Sequence, residues 1–240
     1  MMKRLLQLGF GILATFAVYA GQAYSAPAER FEVTSIKAVR PTLVNTIAAL
    51  QKNDAKAARA AFNDYDSAWN GIEVYINTRS KALYDAIEHN YQAKITKALE
   101  APNPDTRAIL PDAQAMLGKF DEAVKLVSTS APLNPLYDDV ARLRIVRAPM
   151  REVEPALKAG DMAKARKSYT AFDDKWDSIE DLIKDRSADS YTAIESNMIK
   201  IERALMADKP SATEVTALVK DVMGRYNDAL AQVAKEARGR

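Results

Sequence analysis

Aromatic and aliphatic residues recur at alternating steps of three and four along two stretches of the chain. They are Phe62, Tyr65, Trp69, Ile72 and Ile76 in the first stretch, and Tyr169, Phe172, Trp176, Ile179 and Ile183 in the second. This spacing places one apolar stripe along an α-helix. Nowhere does the chain show the strict apolar–polar alternation of a β-strand. The pattern therefore predicts an all-α fold.

The two stretches belong to a longer internal repeat. WNGIEVYINTRSKALYDAIEHNY begins at Trp69, and WDSIEDLIKDRSADSYTAIESNM begins 107 residues later. The offset of 107 holds as far as Asn90 and then falls to 106. Such self-similarity is the signature of a repeat architecture. We predict two tandem helical bundles of about four helices each, unit 1 over 27–130 and unit 2 over 136–240.

Turn and capping residues divide each unit. The predicted helices span roughly 33–52, 54–78, a segment after Ser80 and one ending near 129, and in unit 2 roughly 138–159, 161–185, a segment after Ser187 and one ending near 237. Aspartate and serine favour the position before a helix, where the side-chain oxygen accepts a backbone N–H. The predicted caps are Asp54, Ser80, Asp161, Ser187 and Ser211.

The first 26 residues read as an export signal. Lys3 and Arg4 precede an apolar run that continues to Gly21, and small residues follow between Ala23 and Ala28. This order is typical of a cleaved secretory signal, although the run is nearly long enough to be an uncleaved membrane anchor. We predict cleavage, a periplasmic location in a bacterium, and no membrane insertion of the mature chain.

Composition excludes several classes of function. The chain has no cysteine, which rules out disulfides, thiolate metal sites and cysteine nucleophiles. It has 34 basic and 32 acidic residues, and loss of Lys3 and Arg4 with the signal makes these numbers equal. A neutral protein has no electrostatic basis for binding nucleic acid. Phosphate loops and catalytic motifs are absent, and the single histidine, His89, lies opposite Ser196 in the repeat. We predict that the protein is not an enzyme.

Carboxylates at the border of the apolar stripe are the candidate chemistry. Asp66 and Glu73 are seven residues apart on one helix face, each directly after a core position, and Glu88 follows the core residue Ile87. The unit 2 counterparts of these three acids are Asp173, Glu180 and Glu195. Facing carboxylates inside a helical bundle are the usual oxygen ligands of hard or borderline cations, iron among them.

A metal site at these positions depends on a chain reversal between Asn77 and Ser80. If the chain turns there, the helices carrying Glu73 and Glu88 pack antiparallel and the two carboxylates face each other. If one helix continues, they are about 22 Å apart and share no ligand. The alternative for all of these acids is ordinary pairing with arginine or lysine at the edge of a helical core.

The segment W-x-x-I-E-x-x-I…R-S-x-x-x-Y-x-x-I-E-x-x-[YM] resembles the extracytoplasmic helical region of some bacterial proteins of the oxidase-type iron permease family. The resemblance covers mainly 58–99 and 165–206 and rests on Trp69, Glu73, Tyr84 and Glu88 with their second copies. The permease membrane signature Arg-Glu-x-x-Glu is absent, so the likeness is to the soluble region alone.

The resemblance implies a periplasmic accessory role beside an inner-membrane iron permease. Glutamates would be the iron ligands, with another divalent cation as the alternative. The predicted metal-binding residues are Glu73, Glu88, Glu180, Glu195, Asp66 and Asp173. The competing interpretations are a helical interaction module that binds an envelope or permease partner without metal, and a helical sensor or solute-binding domain.

Overall fold

The computed structural model of the protein describes residues 29–239. Its helices are α1 (Phe31–Gln51), α2 (Ala55–Arg79), α3 (Lys81–Asp85), α4 (Ala93–Glu100), α5 (Thr106–Thr129), α6 (Leu136–Lys158), α7 (Met162–Trp176), α8 (Glu180–Lys184), α9 (Ala188–Met206) and α10 (Ala212–Gly239), and a π-helical segment, Ala86–Gln92, joins α3 to α4. No strand occurs within these residues, so the predicted all-α fold is confirmed. The predicted signal, 1–26, lies outside the described residues.

The predicted caps start their helices in the same way. Asp54, Ser80, Asp161, Ser187 and Ser211 each accept, through a side-chain oxygen, the backbone N–H of the third residue that follows. Each bond satisfies one of the four backbone N–H groups that a helix leaves without an intrahelical partner. At these five places the local sequence therefore determines where the helix begins.

Two hydrophobic clusters form the core. One contains buried residues between Val33 and Val127, and the other contains those between Val140 and Ala237. Val74, on α2, packs against both clusters. Helices α2 and α6 pack tightly at Gly71, where a Cβ atom would lie 2.5 Å from Cγ1 of Ile145. Glycine is therefore required at this crossing for steric reasons.

The helix predicted over 161–185 is interrupted, and that prediction is wrong in detail. Helix α7 ends at Trp176, and α8 begins at Glu180. The Ser178 hydroxyl donates to the Lys175 carbonyl at 2.6 Å, and the Ile179 N–H bonds to the Trp176 carbonyl three residues back. Serine side chains compete in this way with the helical hydrogen bonds of the backbone. The α2 counterpart continues through the same region.

Within residues 29–239, no helix is long and apolar enough for a membrane crossing.

Candidate functional site

The chain reverses where the candidate site requires it. Helix α2 ends at Arg79, and Ser80 is extended with φ −152° and ψ 94°. Trp69 then contacts Glu88, and Arg59 Nε donates to the Leu99 carbonyl at 2.7 Å. Arg59 precedes Trp69 in the chain, and its partner Leu99 follows Glu88. Residues further before Ser80 therefore contact residues further after it, so α2 and the segment 81–100 pack antiparallel. The reversal that the metal hypothesis needed is confirmed.

A tryptophan holds the second glutamate of each copy. The Trp69 indole N–H donates to Oε2 of Glu88, and the Trp176 indole N–H donates to Oε1 of Glu195. Both indoles are buried, with 1% and 2% of their surface exposed. A buried indole N–H needs an acceptor, and a carboxylate makes the stronger, charge-assisted bond. Packing alone thus gives Glu88 and Glu195 a reason to recur.

A tyrosine stacks on the same indole in each half. The Tyr84 ring lies 6.2 Å from that of Trp69 at an interplanar angle of 14°, and the Tyr191 ring lies 6.5 Å from that of Trp176 at 11°. Each tryptophan therefore carries a glutamate at its edge and a phenol on its face. This arrangement brings the repeated Trp, Tyr and Glu of the sequence into one cluster.

Two carboxylates act on each of these phenols. Burial raises the pKa of Tyr84 to about 12, and the charges of Glu73 and Glu88 add to the shift. Burial likewise raises the pKa of Tyr191, with further contributions from Glu195 and Glu180. An acidic side chain stabilises the neutral phenol over the phenolate. The Glu–Tyr–Glu grouping thus occurs twice in the described residues.

Glu73 has a cationic partner on another helix. Nη1 of Arg144, on α6, lies 2.7 Å from Oε1 of Glu73, and both side chains are largely buried. Burial raises the pKa of Glu73, Arg144 opposes the shift, and the charge of Glu88 adds to it. Glu73 therefore lies within electrostatic reach of both an arginine and a second carboxylate. It forms the ion pair that the alternative interpretation expected.

The two aspartates have different surroundings. Oδ1 of Asp66 accepts the Gln92 amide N–H at 2.6 Å. Burial raises the pKa of Asp173, and the nearby charges of Glu202, Asp174 and Asp177 raise it further. Asp66 is thus held by a hydrogen bond, whereas Asp173 lies among other acids. The sequence predicted equivalent roles for them.

The two halves also differ in helix type. Four residues separate the buried Ile87 from the buried Gln92, whereas three separate Ile194 from Met198. A π-helical turn, with hydrogen bonds that span five residues, takes up one residue more than an α-helical turn. The π-helical segment accounts for the fall of the sequence offset from 107 to 106. Gln92 therefore occupies the place of Met198, which is the pairing that the offset of 106 gives.

Sequence reasoning did not assign three of the residues at this site. Tyr84 was read as core, although its recurrence at a fixed distance from the tryptophan was a usable signal. Gln92 lies where the repeat offset changes, which was a second signal. Arg144 had no signal in the sequence, because its contact with Glu73 joins helices that are 71 residues apart.

Clusters of the usual metal-binding side chains are not found in this part of the chain. Among residues 29–239, no three or more histidine, aspartate or glutamate side chains are grouped so that they could hold a metal ion. A cation bound at Glu73 or Glu88 would need phenol, amide or water oxygens to complete its coordination. Tyr84 and Gln92 supply oxygens of the first two kinds.

No family model, curated protein or solved structure matches the chain. The fold and site define an all-α protein with carboxylate–phenol groupings on two buried tryptophans.

Proposed function

We propose that the chain is an exported binding protein, not an enzyme, that takes up a cation, iron in the first instance, for uptake or buffering in the periplasm. Residues 1–26 are the signal that is removed, and the two tandem bundles, 27–130 and 136–240, each contribute carboxylates. The ligands are Glu73 and Glu88 with Asp66 nearby, and Glu180 and Glu195 with Asp173 nearby.

The electrostatic influence of two carboxylates, Glu73 and Glu88, on the phenol of Tyr84 supports this proposal. Carboxylate and phenol oxygens are hard donors that suit iron and other hard or borderline cations. The tryptophan bond to Glu88 orients that carboxylate, as outer hydrogen bonds orient metal ligands in other proteins. The oxygen donors present therefore fit the proposed cargo.

The choice of iron and of a partner rests on the resemblance to the iron permease region. That resemblance supports delivery to, or retrieval from, an inner-membrane iron permease. The cation would be cargo, so a binding site that exchanges it readily is sufficient. Two or three protein oxygens with water completing the coordination would meet that requirement.

The Glu73–Arg144 ion pair favours a second candidate function. It joins α2 to α6 and uses one of the proposed ligands for tertiary contact. An apolar groove of about 730 Å³ lies near it, between α1, α2, α6 and α7. In this alternative the protein is a helical interaction module, and its acids are structural.

Calorimetric titration of the mature protein, residues 27–240, tests the proposal. The titrants are ferrous, ferric, manganous and zinc ions, and the variant carries Glu73→Gln, Glu88→Gln, Glu180→Gln and Glu195→Gln. We expect wild-type binding and at least a tenfold loss of affinity in the variant. Glu122→Gln combined with Glu152→Gln, at exposed positions, controls for the lost charge.

Each outcome is informative. Unchanged affinity in the fourfold variant would remove these glutamates from the site. A wild-type protein that binds none of the four ions would support the interaction module instead. Loss of affinity in the surface control would reduce the effect to net charge.

A further inference from the structure

The π-helical segment borders a second, smaller cavity that the repeated motif does not explain. This cavity, of about 380 Å³, is lined by Asp66, Glu88, His89, Gln92, Ala93, Thr96, Lys97 and Glu100. The lining includes three carboxylates, one ammonium group and one imidazole, and among the described residues the three acids do not form a metal-binding group by themselves. The balance of charge favours a cation.

Gln92 has an amide group that the protein only half satisfies. The side chain is 5% exposed, and its nitrogen donates to Oδ1 of Asp66 at 2.6 Å. An ionised carboxylate only accepts hydrogen bonds, so the amide nitrogen must face Asp66 and the oxygen must point elsewhere. That oxygen is buried and has no hydrogen-bond partner. Buried polar atoms without a partner are rare and costly, and a bound water or cation is one way to satisfy them.

Glu88 lines the same cavity, and one of its two carboxylate oxygens has no hydrogen bond from the described residues. Its Oε2 accepts the Trp69 indole N–H, and Oε1 accepts no hydrogen bond from the described residues. The tryptophan fixes the carboxylate while it leaves Oε1 available. Glu88 and Gln92 are four residues apart on one segment, so both reach the same side of it.

We propose that Asp66, Glu88 and the amide oxygen of Gln92 form a site for one hard divalent cation, and that this site exists in the first half of the chain only. This inference rests on the proposed cation-binding function and specifies it. Hard cations prefer carboxylate and amide oxygens, and Mg²⁺ and Mn²⁺ are commonly held by one or two carboxylates with water in the other positions. The cavity is large enough for such waters.

The second half lacks the residues for an equivalent site. Met198 takes the place of Gln92, and it cannot supply a hard oxygen. Asp173 therefore has no glutamine amide opposite it. The extra residue in the π-helical segment is what brings Gln92 to the buried position. π-Helical turns inside α-helices are frequently found at functional sites.

The test is to count bound Mn²⁺ by electron paramagnetic resonance on the mature protein. The decisive variant is Gln92→Met, which keeps the side-chain length and installs the residue of the other half. We expect one Mn²⁺ to bind at this site in the wild type, and its affinity to fall at least tenfold in Gln92→Met, in Asp66→Asn and in Glu88→Gln. Glu122→Gln and Glu152→Gln, at exposed positions outside the proposed ligands, are the controls for one lost carboxylate, and they should bind as the wild type does. Circular dichroism checks that each variant is folded.

Three results would overturn this inference, and none of them by itself overturns the broader proposal. One is Mn²⁺ binding by Gln92→Met equal to that of the wild type. Another is a loss of affinity in Glu122→Gln or Glu152→Gln equal to that in Glu88→Gln, which would reduce the effect to net charge. Absence of Mn²⁺ binding by the wild type would overturn it too, and the iron titration above then decides the proposed function separately.

Discussion

Trp69 and Glu88 form a buried indole–carboxylate hydrogen bond, which Trp176 and Glu195 repeat in the second half. Both pairs join antiparallel helices across a turn that begins with a capping serine. The glutamate therefore has a structural role before any ligand is considered. A change at Glu88 can separate the two roles, because the hydrogen bond needs an acceptor and cation binding needs a charge.

Glu88→Met should destabilise the fold more than Glu88→Gln does. Methionine cannot accept the Trp69 N–H, and an unpaired buried donor costs about 1–3 kcal/mol. Glutamine keeps an acceptor oxygen, so its unfolding free energy should remain within about 1 kcal/mol of wild type. Urea unfolding at neutral pH measures both. Equal stability of the two variants would show that the hydrogen bond contributes nothing measurable.

Gly71→Ala should lower stability by about 1–3 kcal/mol, the usual cost of overpacking. The new methyl group would overlap Cγ1 of Ile145, which is not the free end of a flexible chain. Gly118→Ala is the matched control, since it adds the same methyl group to α5 with nothing within 4 Å. It should stabilise the protein by up to about 1 kcal/mol through helix propensity. A stabilising Gly71→Ala would contradict the close crossing of α2 and α6.

Arg79 and Glu32 make an ion pair in which each side chain is about 5% exposed. Arg79→Met should cost about 3–5 kcal/mol, because it leaves Glu32 buried with one cation fewer. Removing both charges with Glu32→Met and Arg79→Met should recover part of that loss. The counterpart Arg186 pairs with the more exposed Glu236, so Arg186→Met should cost less. Thermal unfolding of the four proteins checks this order.

The pH dependence of stability should contain a contribution from Glu73. Its pKa is raised in the fold by burial, so the folded state binds this proton more tightly than the unfolded state does. Stability from this group is therefore greatest at low pH and declines as pH rises from about 4.5 through the folded pKa.

Glu73→Gln tests that sign. The variant lacks the titrating group, so its stability relative to wild type should increase as pH rises above about 4.5. Urea unfolding at intervals between pH 4 and 7 measures the difference. Glu152→Gln, at an exposed position, gives the effect of removing one surface carboxylate. A relative stability of Glu73→Gln that falls over this range would mean that the Arg144 pair outweighs burial.

Deletion of Asn90 should leave a folded protein. It removes one residue from the π-helical segment, so the interval between Ile87 and the next buried position becomes that of α9. Deletion of Asn197 in the regular helix α9 would instead rotate every following side chain by about 100° and expose the core face. Circular dichroism and urea unfolding should show a cooperative transition for the Asn90 deletion and none for the Asn197 deletion. Equal effects would mean that the π-helical segment is not a local insertion.

The all-α class, five of the helix starts and the core stripe could be predicted from the sequence because they depend on short-range spacing and capping. The five predicted caps are all present, since an aspartate or serine oxygen reaches a backbone N–H only three residues away. The break before α8 was missed, because Ser178 competes with the backbone only weakly and its outcome depends on packing. The aromatic stripe predicted that the two indoles would be buried, but it did not predict which groups would accept hydrogen bonds from their N–H groups.

The sequence by itself determined that the chain is helical, where five of its helices begin, and that one pattern of tryptophan, tyrosine and glutamate is written twice. Tertiary structure alone decided what those glutamates contact. Glu73 meets Arg144 and Glu88 meets Trp69 because the turn at Ser80 and the crossing at Gly71 bring distant helices together. Such contacts join residues tens of positions apart, and no local periodicity encodes them. The burial of Gln92 was likewise not predicted from local periodicity, because the extra residue of the π-helical segment changes which side chain faces the core.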